Sequence, residues 1–201
     1  MLIMSLEIFA AMVVFTFVTS VTPGPNNLML LASGVNFGFR RTLPHMLGVG
    51  IGFVVLLLAV GAGMGSLLTA IPQLYTALKI AGGLYLLYLA FRIATSGPID
   101  STTESTAKPL TFFEAAAFQW INPKGWVMVV TAMATYTVPD NYWATMLLVA
   151  LTFGAVNVPS VSAWAGLGVV LRRWLSDPRR LRIFNIAMAV LLVLSLWPLL
   201  R

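Results

Sequence analysis

Residues 21–34 read VTPGPNNLMLLASG, and the chemistry lies in Pro23, Gly24, Pro25, Asn26 and Asn27. Proline supplies no amide hydrogen and collides with the preceding turn. The run therefore stops one helix and starts another, exposing carbonyls on one side and amides on the other. A second break stands in FQWINPKGWVM, where Asn122 and Pro123 precede Lys124. Asn157 and Pro159, in FGAVNVPSVSAW, predict a third. An anion held by Lys124 and by the amide ends of half-helices, with Asn26, Asn27, Asn122 and Asn157 giving neutral hydrogen bonds, describes a site for an amino-acid carboxylate or similar zwitterion. Pro25 joins the set as the start of a half-helix, and Gln119 is a lesser member.

These polar residues sit in a chain of 201 residues that is 59% hydrophobic and 9% charged, with a mean hydropathy of +0.92. Soluble domains carry about a quarter charged residues, so this is an integral membrane protein. About 20 apolar residues cross a hydrocarbon core of roughly 30 Å. Charges and prolines delimit six apolar segments, 5–38, 43–66, 72–92, 111–136, 143–171 and 180–200. The expected fold is all-α, with six transmembrane helices. The first segment is too long for one straight crossing at about 1.5 Å per residue. Broken backbone at membrane depth is tolerated only against protein or a polar cavity, so the breaks predict a cavity near the midplane.

The charges orient the segments. Arg40 and Arg41, then Arg92 and Lys108, then Arg172, Arg173, Arg179, Arg180 and Arg182 fall in gaps on one side, while GSLLTAIPQ and TVPDNY carry no Lys or Arg. The positive-inside rule makes that side cytoplasmic and places both termini outside the cytoplasm, as expected of a multi-pass protein of a bacterial inner membrane. The same rule accounts for the net charge of +6, so no nucleic-acid partner is implied. The first basic residue is Arg40. The segment from Ser5 thus lacks the positive start of a cleaved signal and reads as a mature span.

TSGPIDSTTESTAKP, from Thr95 to Pro109, reads as a flexible cytoplasmic linker. It divides the chain into a three-span repeat at 1–94, a linker at 95–110 and a second repeat at 111–201. Three is odd, so the second half enters from the opposite face, which makes the repeat inverted, with a proline-broken first helix in each half. Thr111 and Glu114 have the spacing of a capping box.

Absence of cysteine excludes disulfides, thiolate metal sites and dithiol redox chemistry, and neither a cofactor nor a metal is expected. Glu7, Asp100, Glu104, Glu114, Asp140 and Asp177 lie near membrane faces or in connections. Lys124 is thus the only deep titratable group. His45, the one histidine, reads as a helix-end residue or a proton relay. Lys79 can snorkel outward, and Gly48, Gly52, Gly61 and Gly65 have the spacing of close helix contacts. A membrane-embedded hydrolase would need a base beside Ser33 or Ser160, and no Gly-x-Ser-x-Gly is present. A passive channel or a structural subunit is the main alternative to a carrier, and a homo-oligomer is left open.

TPGPNNLMLLASGVNFGFRR, a Gly-rich second span, INPK and RRWLSDPRRLRIFN together resemble the LysE/RhtB family of amino-acid exporters over essentially the whole chain. Within it, TPGPNN, FRIATS and AKPLTF look most like the branch exporting cysteine and O-acetylserine, which has valine where this chain has Pro123. The resemblance implies six spans in inverted repeats and proton-driven export of amino acids or their derivatives from the cytoplasm. It lays the substrate site on Pro23 to Asn27 and on Asn122 to Lys124.

Overall fold

The computed structural model describes residues 4–65, 70–96 and 108–197, without the side chains of residues 64, 72, 74 and 75. The expected linker falls mostly at 97–107, outside the described residues. The helices are α1 (Leu6–Val21), α2 (Pro25–Phe37), α3 (Phe39–Ala59), α4 (Pro72–Ala94), α5 (Phe112–Phe118), α6 (Pro123–Tyr136), α7 (Tyr142–Trp174) and α8 (Pro178–Leu194). A π-helical turn, Val60–Met64, extends α3, and short 3-10 turns precede α6 and α7.

Local chemistry sets most of these boundaries. Ser5 caps α1 by accepting from the Ile8 amide, and Asp177 caps α8 by accepting from the amides of Arg179 and Arg180. Thr111 and Glu114 form the expected capping box on α5. Proline opens α2, α4, α6 and α8, since the first helical residue needs no amide hydrogen. Gly38 alone joins α2 to α3, at φ 79°, a conformation that disfavours any side chain.

Among the described residues three helical stretches, 39–63, 76–94 and 139–174, are long and apolar enough to cross a bilayer, and α1 with α2 makes a fourth, bent by 53°. The fourth expected segment is interrupted at Asn122, which leaves α6 with 14 residues, and α8 has 17. At about 1.5 Å per residue neither reaches roughly 30 Å as a continuous helix.

The bundle wraps around α2, buried continuously from Asn27 to Asn36. Apolar side chains face outward: Leu43, Leu47, Ile51 and Val55 recur every fourth residue along the exposed side of α3. Ser20, Asn27, Asn36, His45, Gln119, Asn122, Asn157 and Asn185 are buried within. That inversion suits hydrocarbon surroundings, where packing and internal hydrogen bonds hold helices together.

Two close approaches fix the frame. A Cβ on Gly34 would strike the Ala165 carbonyl, and one on Gly168 would strike the Leu31 carbonyl, so α2 and α7 touch backbone to backbone. On α3, Gly48 and Gly52 do the same against Phe112 and Ala116 of α5, as their spacing predicts. Gly168→Val is expected to cost about 1–3 kcal/mol or more by overpacking. Thermal unfolding in detergent checks this beside Gly166→Val, where a Cβ meets nothing within 4 Å and stability is expected to hold.

Candidate functional site

The bend at residues 22–24 strips the last turn of α1 of partners for its carbonyls, a debt that any helix end incurs. Side chains from three other helices settle it. Asn27 donates from Nδ2 to the carbonyls of Ser20 and Thr22, both at 2.9 Å. Ser160 of α7 donates to the Ser20 carbonyl (2.9 Å), and the Trp164 indole donates to that of Val21 (3.2 Å). Lys124, in the first turn of α6, donates from Nζ to the Thr22 carbonyl. An ammonium at a helix C-terminus also meets the negative end of the helix dipole.

The second break is tied to the first. Asn26 and Gln119 exchange two hydrogen bonds, Nδ2 to Oε1 at 2.8 Å and Nε2 to Oδ1 at 3.2 Å, and Gln119 also donates to the Ala115 carbonyl. The start of α2 and the end of α5 are thereby clamped across 93 residues of sequence. The first-turn amides of α2 and α6 have no partners within their helices.

Asn26, Asn27, Asn122, Lys124 and Asn157 line one cavity with Gly24, Ser20 and Gly125, so the predicted residues do converge. Pro25 and Pro123 open α2 and α6, Pro23 lies in the bend between α1 and α2, and none of the three lines the cavity. The cavity holds about 30 Å³, room for roughly one water. Three oxygens here are buried without a hydrogen-bond partner: Ser20 Oγ, Asn122 Oδ1 and Asn157 Oδ1. Positive helix ends and an ammonium thus face a group of unused acceptors, the arrangement that would solvate the two ends of a zwitterion.

One expectation needs correction. α7 runs unbroken through Pro159, so there is no third break. A lone proline inside a helix removes one amide and frees the carbonyl four residues earlier, at Ala155, which neighbouring helices tolerate. His45, in the second turn of α3, is 1% exposed and lines a different cavity.

Ser20 and Trp164 were not singled out by the sequence, and Ser160 was named only as the serine a hydrolase would need. A signal for Ser160 existed in its position three residues after Asn157, on the same helical face. The buried pair Asn36–Asn185, exchanging bonds of 2.8 and 3.1 Å between α2 and α8, had none. Asn27→Leu is expected to lose about 1–3 kcal/mol of stability by stranding α1 carbonyls. Ser160→Ala is expected to lose less, because Asn27 still serves the Ser20 carbonyl; detergent melting of both variants checks the order.

Among the described residues no group of three or more His, Asp or Glu is placed to hold a metal ion. The family model for LysE type translocators matches residues 17–195. The cysteine/O-acetylserine efflux protein of Escherichia coli K12 is 32% identical over 197 residues, which cover 94% of this chain and 96% of that protein. Its Shigella flexneri counterpart is 33% identical over 186 residues, covering 89% and 90%. No solved structure matches significantly. With breaks at TPGPNN and INPK inside a membrane-embedded helical bundle, and with a match spanning nearly its full length, the chain belongs to the LysE family, translocators rather than enzymes.

Proposed function

We propose that this protein exports amino acids or amino-acid derivatives, of the neutral type, from the cytoplasm across a bacterial inner membrane by alternating access, with the proton gradient as driving force. The observation that carries the reading is the meeting of Lys124, the α2 and α6 helix starts and the unpartnered oxygens of Asn122 and Asn157 around one small cavity. A substrate carboxylate takes the Lys124 ammonium from the Thr22 carbonyl, and the substrate ammonium is accepted by Asn122 Oδ1, Asn157 Oδ1 and Ser20 Oγ. Pro25, Asn26 and Asn27 hold the α2 helix start in place for this exchange. Lys124 carries the proton coupling. The efflux function of the E. coli and Shigella relatives supports the substrate class.

The six-span, two-repeat organisation, 1–94 and 111–201 about a 95–110 linker, is supported by the element order. Each half contributes a helix, a break, a helix opened by proline and two more helices, α1 to α4 and α5 to α8. Three spans per half and the Arg/Lys-rich gaps then put both termini outside the cytoplasm. The cavity now holds roughly a water, so binding requires the halves to part, which is the motion alternating access needs.

Efflux from right-side-out vesicles preloaded with labelled cysteine, O-acetylserine, threonine or leucine, with and without a proton gradient, tests the reading. Gradient-dependent loss of one substrate class is the expected result, and retention of every amino acid by vesicles containing folded protein would overturn it. Lys124→Gln is expected to abolish the gradient dependence. Persistent proton-driven transport in that variant would remove Lys124 from the coupling step.

A further inference from the structure

A larger cavity, of about 240 Å³, lies between α2, α3, α4 and residues 108–110. Arg92, Lys108, His45, Ser33, Asn36 and Thr95 are in its polar lining, and among the described residues no Asp or Glu lines it. His45 is 1% exposed, and neither ring nitrogen has a hydrogen-bond partner. A buried imidazole with two unused nitrogens is costly unless something visits it. Arg92 donates to the Lys108 carbonyl (2.8 Å) and stands 3.7 Å from Glu114, so it is anchored at the rim while part of its charge is offset. Lys108 adds a second cation. Apolar wall comes from Met29, Leu89 and Leu110.

The two cavities are lined by different residues of the same two helices, α2 and α3. On α2, Asn27 belongs to the small one and Ser33 to the large one; on α3, Phe53 and His45 do. At about 1.5 Å per residue these pairs are roughly 9 and 12 Å apart along their helices. Between them Met29, Met46 and Val49 are packed in one buried apolar cluster.

We infer that the larger cavity is a loading site for a small zwitterionic amino acid, its carboxylate held by Arg92 and Lys108 and its amino end directed to the His45 ring. The inference rests on the exporter reading and deepens it. One imidazole nitrogen donates and the other accepts, so His45 can receive an N–H of the ligand on the way in. The Met29–Met46–Val49 cluster then separates loading from the site at Lys124, and its opening passes the ligand inward.

The chain contains no cysteine, so a single Thr95→Cys gives one reporter, placed on the lining and exposed. It is made in a Lys124→Ala background, which removes the inner ammonium, and reconstituted in phosphatidylcholine alone so that no anionic lipid competes. Alkylation by N-ethylmaleimide is timed with and without serine, threonine or O-acetylserine. An amino acid that the Thr95→Cys protein with Lys124 intact exchanges across the membrane is expected to slow alkylation about tenfold at roughly ten times its Kd. Adding Arg92→Gln and Lys108→Gln is expected to abolish that protection with the melting temperature unchanged. Exchange in the Lys124-intact protein without protection in the Lys124→Ala background overturns the loading site and leaves the exporter reading standing. Protection that survives loss of both cations overturns the assigned contact. Neither exchange nor protection overturns the exporter reading, and the loading site with it.

Discussion

Lys124→Ala is expected to abolish gradient-driven amino-acid efflux while the protein still inserts and folds. The ammonium donates to the Thr22 carbonyl at the C-terminal end of α1 and lies along Gly24, the junction where a substrate carboxylate would meet two helix starts. Removing one partner of a desolvated charge pair costs about 2–5 kcal/mol, a loss in transport efficiency of roughly 30-fold to several thousand-fold by the relation of 1.4 kcal/mol per decade. Stability should change less. The carbonyls of Ser20 and Val21 keep Asn27, Ser160 and Trp164 as donors, and Thr22 keeps Asn27. Initial efflux rates set beside a detergent melting curve separate the two effects.

Gly24→Ala is expected to reproduce much of that loss with the charge retained. Gly24 is extended, at φ −172°, which any residue adopts, so alanine brings no backbone strain. Its Cβ would, however, lie 2.7 Å from Lys124 Cδ and 3.2 Å from Nζ. The obstacle is the far part of a flexible side chain, which can swing away at little cost to the fold, and in doing so it leaves the cavity. A displacement of about 1 Å at a reacting or binding centre can cost roughly 100-fold. Efflux is therefore expected to fall by about one to two decades with the melting temperature nearly unchanged. Gly125→Ala makes a suitable comparison, because its nearest neighbour beyond a new Cβ is Asn122 at 3.5 Å, an ordinary contact.

Both true breaks were legible because they carry more than a proline. Gly24 and Asn122 precede Pro25 and Pro123, so each proline opens a helix instead of sitting inside one. Pro159 has no such neighbour, and α7 continues through it. Composition alone could not tell a proline that starts a helix from one carried within it. The convergence of Asn26, Asn27, Asn122, Lys124 and Asn157 was legible as polarity at comparable depth.

Their division of labour was not legible, since it depends on the bend between α1 and α2. Asn27 faces the carbonyls that the bend frees, Asn26 is spent on Gln119, and the unused acceptors are on Asn122 and Asn157. His45 was ambiguous for a similar reason. Only the packing of α4 and residues 108–110 over α3 turns a position near a helix start into the wall of a buried cavity.

Counterflow in proteoliposomes, with labelled amino acid outside and the same unlabelled amino acid inside, tests most directly whether Lys124 lies at the heart of a carrier site. Wild type is expected to accumulate label transiently, while Lys124→Ala and Gly24→Ala, matched for amount and melting temperature, do not. Wild-type accumulation by folded Lys124→Ala protein would contradict the account.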